Sequence, residues 1–148
     1  MSRVEDAVQC FNNGFNCSQA VFAAYCDQLG LNKETALKIS SPFGGGIGRM
    51  AETCGAVTGA YMLIGLKHGK YLVEDNEGKE KSYSLVREFN ERFKELHGTI
   101  CCRDLLKYDM SDPEELKYIK EHGIWETLCP VFVRDASLII EDLLNLEQ

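Results

Sequence analysis

No Cys-x-x-Cys pair occurs in this chain although it carries seven cysteines, so the usual zinc-ribbon and bacterial ferredoxin spacings are absent. Proline is scarce, at three residues, and no linker, low-complexity tract or internal repeat interrupts the sequence. No segment alternates with the period of two that a half-buried strand requires. The longest apolar run, Cys54 to Leu66, is too short and too rich in glycine to cross a bilayer, which argues against membrane insertion. Basic residues are the minority, 16 against 23 acidic, for a net charge of −7, and no basic cluster interleaves with aromatics. Nucleic acid is thus not an expected partner. The opening MSRVEDAVQC lacks the apolar stretch of an export signal, and the cysteine count is odd. Both point to a reducing cytoplasm, where cysteines are reduced, metal-bound or catalytic rather than structural staples. At 148 residues the chain fits one domain, residues 1–148, large enough to bury a core without such staples.

What is present is helical punctuation. Val4, Ala7, Val8 and Phe11 recur at helical spacing before Asn12-Asn13-Gly14. Asn16 reads as an N-cap for a helix, apolar on two sides, that runs toward Gly30, and Asn32 as the cap of a third helix that ends at Ser41-Pro42. A helix is expected over about 52–68, where Gly55 and Gly59 imply close approach of another backbone. The charged stretch 70–81 reads as an exposed loop, followed by a long helix over about 82–96. Thr99 reads as the cap of a short helix with Cys102, and Asp112-Pro113 as the start of another. Cys129-Pro130 reads as the start of the last. The expected fold is an all-α, single-domain bundle of about six to eight helices.

Four of the seven cysteines, Cys17, Cys54, Cys102 and Cys129, fall where these helices are expected to begin. A helix start offers unpaired N–H groups and a partial positive charge, both of which favour thiolate. Cys10 and Cys26 read as small buried hydrophobes; Cys26 lies nine positions beyond Cys17, on the opposite side of the helix. Cys101 competes with Cys102, but adjacent side chains on a helix diverge, so one of the two faces any shared site. Two thiolates about 4 Å apart repel by about 4 kcal/mol at an effective dielectric of 20, whereas a helix end returns about 0.3–1 kcal/mol. Four converging sulfurs must therefore hold a cation such as zinc or an iron–sulfur cluster, keep some members protonated, or join in disulfides.

Neither GxGxxG nor GxxxxGK[ST] can be written across Phe43 to Arg49. Gly44, Gly45 and Gly46 offer instead a backbone able to turn sharply and aim N–H groups at sulfur or an anion, with Arg49 as a positive neighbour. A tight interhelical turn is the competing reading. All three histidines precede glycine, His68, His97 and His122, as at helix C-termini.

Asn16-Cys17-Ser18-Gln19-Ala20-Val21, Phe43 to Arg49, Cys54-Gly55-Ala56-Val57-Thr58-Gly59, Cys102-Arg103-Asp104-Leu105 and Cys129-Pro130 together resemble the prokaryotic C-GCAxxG-C-C family, described as redox-active proteins. The resemblance spans nearly the whole chain and implies four family cysteines at Cys17, Cys54, Cys102 and Cys129. It also implies genes near transporters. Two functions follow as expectations. One is a cysteine-based oxidoreductase, either a thiol/disulfide couple or an iron–sulfur carrier, passing electrons to a partner protein. The other is a non-redox accessory module for a transporter, with a structural zinc on the same four cysteines. Assembly as a homodimer is compatible with either.

Overall fold

Side-chain caps set where most of the helices begin. In the computed structural model, which describes residues 1–148, Ser2 and Glu5 form a capping box ahead of α1 (Arg3–Asn12), and Asn16 and Gln19 form another ahead of α2 (Cys17–Tyr25). A 3-10 turn, Cys26–Leu29, carries α2 to the left-handed Gly30. Asn32 caps α3 (Lys33–Ser40) through the Thr35 amide. After a glycine-rich turn come α4 (Gly55–His68), α5 (Asn76–His97), α6 (Cys102–Leu106), α7 (Pro113–Glu121) and α8 (Ile124–Leu144). The fold is all-α. Its one β-type contact is an isolated antiparallel bridge between Thr53 and Cys101. No helix is long and apolar enough to cross a membrane.

Helices α2, α4 and α8 pack on one another at the centre; α1 covers α2 and α8, and α5 covers α4 and α8. Tyr25, Leu63, Ile64, Phe89, Phe93, Val133 and Ile140 are buried in the core these helices share. The α2–α4 crossing is the tightest contact. A Cβ on Gly59 would lie 2.7 Å from the Ser18 carbonyl oxygen, so the two backbones touch where a side chain would otherwise stand. The buried Thr58 hydroxyl donates to the Gly55 carbonyl at 3.0 Å. Having one proton, it must accept from Ser18 Oγ, 3.2 Å away. Both buried hydroxyls are thereby satisfied without water.

Four expectations are corrected. Residues 76–81 are the first turns of α5 and not loop: Asp75 accepts from the Gly78 amide at 2.9 Å, and an exposed run of Glu and Lys suits a helix that needs no apolar stripe there. Cys101 rather than Thr99 caps α6, and Thr99 Oγ1 accepts from the Cys101 amide. Gly69 is extended, unlike the left-handed Gly98 and Gly123. His97 does end α5 before the left-handed Gly98, as its sequence context implies, and it also hydrogen-bonds to Asp135 at 2.8 Å, between Phe93 and Phe132, clasping α5 to α8.

The fourth concerns Cys129-Pro130, which does not open the last helix. Helix α8 begins five residues before Cys129, at Ile124, and Pro130 lies inside it. An interior proline costs about 3 kcal/mol. Ile124 and Leu128 extend the stripe of Phe132 and Ala136 upstream at four-residue spacing, and their packing against the core, together with that of Trp125, offsets that cost.

The α2–α4 crossing predicts opposite effects for two glycines of one helix. Gly59→Ala should destabilise by about 1–3 kcal/mol, because the Ser18 backbone must move. Gly65→Ala, with nothing within 4 Å of the new Cβ, should stabilise by about 0.4–1 kcal/mol. Urea midpoints of the two variants check both signs.

Candidate functional site

Cys17, Cys54, Cys102 and Cys129 line one cavity of about 700 Å³, together with Gly44, Gly45, Gly46 and Arg49. Every residue singled out in the sequence for site chemistry borders this space. Cys10, Cys26 and Cys101 do not. Cys26 is buried and directs its thiol at the Ala23 carbonyl, and Cys101 directs its own at the Ala51 carbonyl. His68 ends α4 while Cys54 caps its start; at 1.5 Å per residue the two stand about 20 Å apart, so His68 takes no part.

Each sulfur arrives by a different local device. Asn16 fixes the start of α2 with its side chain on the Gln19 amide at 2.9 Å, which puts Cys17 at the first helical position. Cys54 is itself the N-cap of α4. A Cβ on Gly55 would stand 3.0 Å from Cys17 Sγ and from the Ser18 amide, so α4 starts directly against the start of α2. Cys102 is tied to Cys54 by the isolated bridge: the Cys54 amide donates to the Ile100 carbonyl at 2.8 Å and the Cys102 amide to the Glu52 carbonyl at 2.6 Å. Cys129 comes from the second turn of α8. Three sulfurs thus sit at helix starts, and the fourth faces them from a helix interior.

The glycine-rich turn is left-handed. Gly45, Gly46, Ile47, Gly48 and Arg49 all have positive φ, followed by Ala51. The turn closes on itself, with the Ala51 amide donating to Gly45 and the Glu52 amide to Gly46 at 2.9 Å. At Gly46, φ is +66° and a Cβ would come 2.7 Å from Cys102 Cβ and from the Glu52 nitrogen, so only glycine fits. The turn therefore packs against the cysteines as a wall of backbone.

The four sulfurs are not equivalent. The thiols of Cys129 and then Cys54, with the backbone amides of Cys17 and Ala56, favour charge on the Cys17 sulfur. Together these hold Cys17 well below the usual thiol value despite its desolvation. The cost appears on its neighbours. Proximity to the Cys17 sulfur, then burial, push Cys54 well up, and the same causes raise Cys129. Burial, then the charge of Cys17, push Cys102 up to about 12. One thiolate with three protonated companions is the state that the repulsion between neighbouring sulfur anions favours.

No disulfide joins any of the seven cysteines. No group of three or more His, Cys, Asp or Glu side chains is arranged to hold a metal ion. Without such a grouping the four sulfurs, as placed, do not meet the geometry that zinc or an iron–sulfur cluster requires. Trp125 and Glu126, which the sequence reading passed over, complete the far wall with Phe15, Met110 and Phe132. Trp125 is the one tryptophan of the chain, and the Arg49 guanidinium lies 5.7 Å from its ring centroid.

A family model described as "Putative redox-active protein (C_GCAxxG_C_C)" matches residues 15–143. No curated protein and no solved structure matches the chain.

Two pH effects follow. At about pH 6.5, some two units below an ordinary thiol, iodoacetamide should modify Cys17 ahead of every other cysteine, as read by peptide mass spectrometry. Preferential labelling of Cys10 or Cys101 would contradict the arrangement. The stability effect has two signs. The Cys17 value is lowered on folding, so its contribution is complete above 9.0 and lost as pH falls through the folded value. The Cys54, Cys102 and Cys129 values are raised, so their contributions are complete below 9.0 and lost as pH rises toward the folded values. Urea midpoints should accordingly fall above about pH 9, where the unfolded thiols ionise.

Proposed function

The chain belongs to the C_GCAxxG_C_C family, and from the description of that family and the gathered sulfurs we propose that it is a thiol–disulfide oxidoreductase with Cys17 as its nucleophile. One observation carries this reading: four cysteines line a single cavity, with Cys17 at the first position of α2 set directly against the start of α4. Nucleophile, proton donors and resolving sulfurs then border one space.

The Cys17 thiolate attacks one sulfur of a substrate disulfide. That S–S bond breaks, a Cys17–substrate mixed disulfide forms, and the first substrate thiolate leaves. Either Cys54 or Cys129, both lining the cavity beside Cys17, gives up its proton to the departing thiolate and attacks Cys17 Sγ. The second half of the substrate is expelled as its thiolate and a protein disulfide closes. The substrate gains two electrons and the protein loses two. An external thiol acting in the reverse direction restores the reduced protein. Burial keeps the resolving thiols protonated until the departing thiolate, a base, appears beside them.

Single-turnover oxidation by 2-hydroxyethyl disulfide tests the proposal. Cys17→Ser should slow oxidation of the cavity cysteines by about 100-fold or more. Of Cys54→Ser and Cys129→Ser, the one that removes the resolving sulfur should accumulate the mixed disulfide on residue 17, seen as added mass. Wild-type oxidation of the remaining cavity cysteines in Cys17→Ser would refute it.

A further inference from the structure

Arg49 and Glu126 are the charged side chains that line the cavity. Every ion pair of the structure lies elsewhere, so neither has a partner of opposite charge. Arg49 is held in place nonetheless. It stands in the left-handed turn at φ 63°. Its stem crosses Gly45, where a Cβ would meet Arg49 Cγ at 2.7 Å, and its guanidinium rests on Trp125. Such fixing lowers the entropy lost when the guanidinium binds an anion.

The floor of the cavity decides the size of the visitor. Cys17, which meets the substrate, is half-buried and is backed by Cys54, Cys102 and Cys129 at 5–7 % exposure, so a small disulfide that enters the cavity reaches it more readily than one fixed on the surface of a folded protein. A cavity of about 700 Å³ lies within the range that small molecules occupy. The chain as a whole carries −7, which repels dianionic disulfides and leaves a zwitterion of zero net charge unaffected. Phe15, Leu105, Met110 and Phe132 supply the apolar lining that a CH₂–S–S–CH₂ unit prefers.

We propose that the cavity takes the disulfide of a free α-amino acid, its carboxylate on Arg49 and its ammonium on Glu126, an inference that rests on the thiol–disulfide chemistry above. Cys17 attacks the nearer sulfur and the far half leaves as the free amino-acid thiol. The resolving cysteine then releases the second half. Two amino-acid thiols form for each protein disulfide, with two electrons passing from protein to substrate.

L-Cystine and the uncharged 2-hydroxyethyl disulfide are the probes, with oxidation of Cys17 followed in single turnover. Wild-type protein should favour cystine by about tenfold or more, and Arg49→Gln and Glu126→Gln should each lower the cystine-to-neutral rate ratio by about tenfold. Arg49→Lys, which keeps the charge and loses the planar fork, should recover part of the ratio. Far-ultraviolet circular dichroism confirms that each variant is folded. A ratio unchanged in both charge-removing variants, with Cys17 still oxidised by the neutral compound, overturns this proposal alone. Failure of both compounds to oxidise Cys17 overturns it together with the reading on which it rests.

Discussion

The contact between the backbones of α2 and α4 is the constraint on which the site depends. With glycine at 55 and 59, the start of α4 comes within a Cβ radius of Ser18 and of the Cys17 sulfur. The Ala56 amide, in the first turn of α4, then reaches a sulfur that belongs to the first turn of α2. One thiolate is served by the positive ends of two helices, and each end adds about 0.3–1 kcal/mol. A larger side chain at 55 or 59 would separate the helices and leave Cys17 with its own amide alone. The Ser18–Thr58 hydroxyl pair holds the same crossing from within. The packing of the core and the ionisation of the site are therefore one arrangement.

Helix ends alone do not settle which sulfur ionises, because Cys54 and Cys102 also stand at helix starts. The neighbours of each sulfur make the difference. Two thiols and two backbone amides favour charge on Cys17, whereas proximity to Cys17 and burial push Cys54 and Cys129 up. Repulsion of about 4 kcal/mol between thiolates at contact, for an effective dielectric of 20, then keeps the neighbours neutral. The asymmetry gives the site a direction: one sulfur attacks, and its companions resolve.

Much of this was legible in the sequence because it is local chemistry. Asn16, Asn32 and Asp112 are caps by residue type, and the four cavity cysteines could be named before any coordinate. Gly55 and Gly59 announced a close crossing for the same reason, since two glycines within a helix need a gain elsewhere. The misreadings share a cause. Pro130 was given its local preference for a helix start, but Ile124, Trp125 and Leu128 gain more by packing than the interior proline costs. His97 ends its helix as the sequence implies, but its hydrogen bond to Asp135, 38 residues later, has no local signal. Trp125 and Glu126 carry no motif. They reach the cavity through the path of α8, and the one local signal for them is a lone tryptophan four residues before Cys129.

The left-handed turn shows how firmly that arrangement is held. Ile47, Arg49 and Ala51 each adopt a positive φ, and left-handed conformations cost L-residues roughly 1–2 kcal/mol apiece. Three of them oppose folding by roughly 3–6 kcal/mol, a large part of the 5–15 kcal/mol typical of a domain. The far end of the turn explains why it persists. Ala51 is fully buried, and its carbonyl accepts from both the Arg103 amide and the Cys101 thiol. Relaxing the turn would expose Ala51 and strip two donors of their acceptor. It would also detach the segment that holds Cys102 beside Cys54. The strain thus has a structural counterpart in the bridge between residues 53 and 101, and what the two maintain together is a backbone wall narrow enough at Gly46 to press on Cys102 while carrying Arg49 across to Trp125.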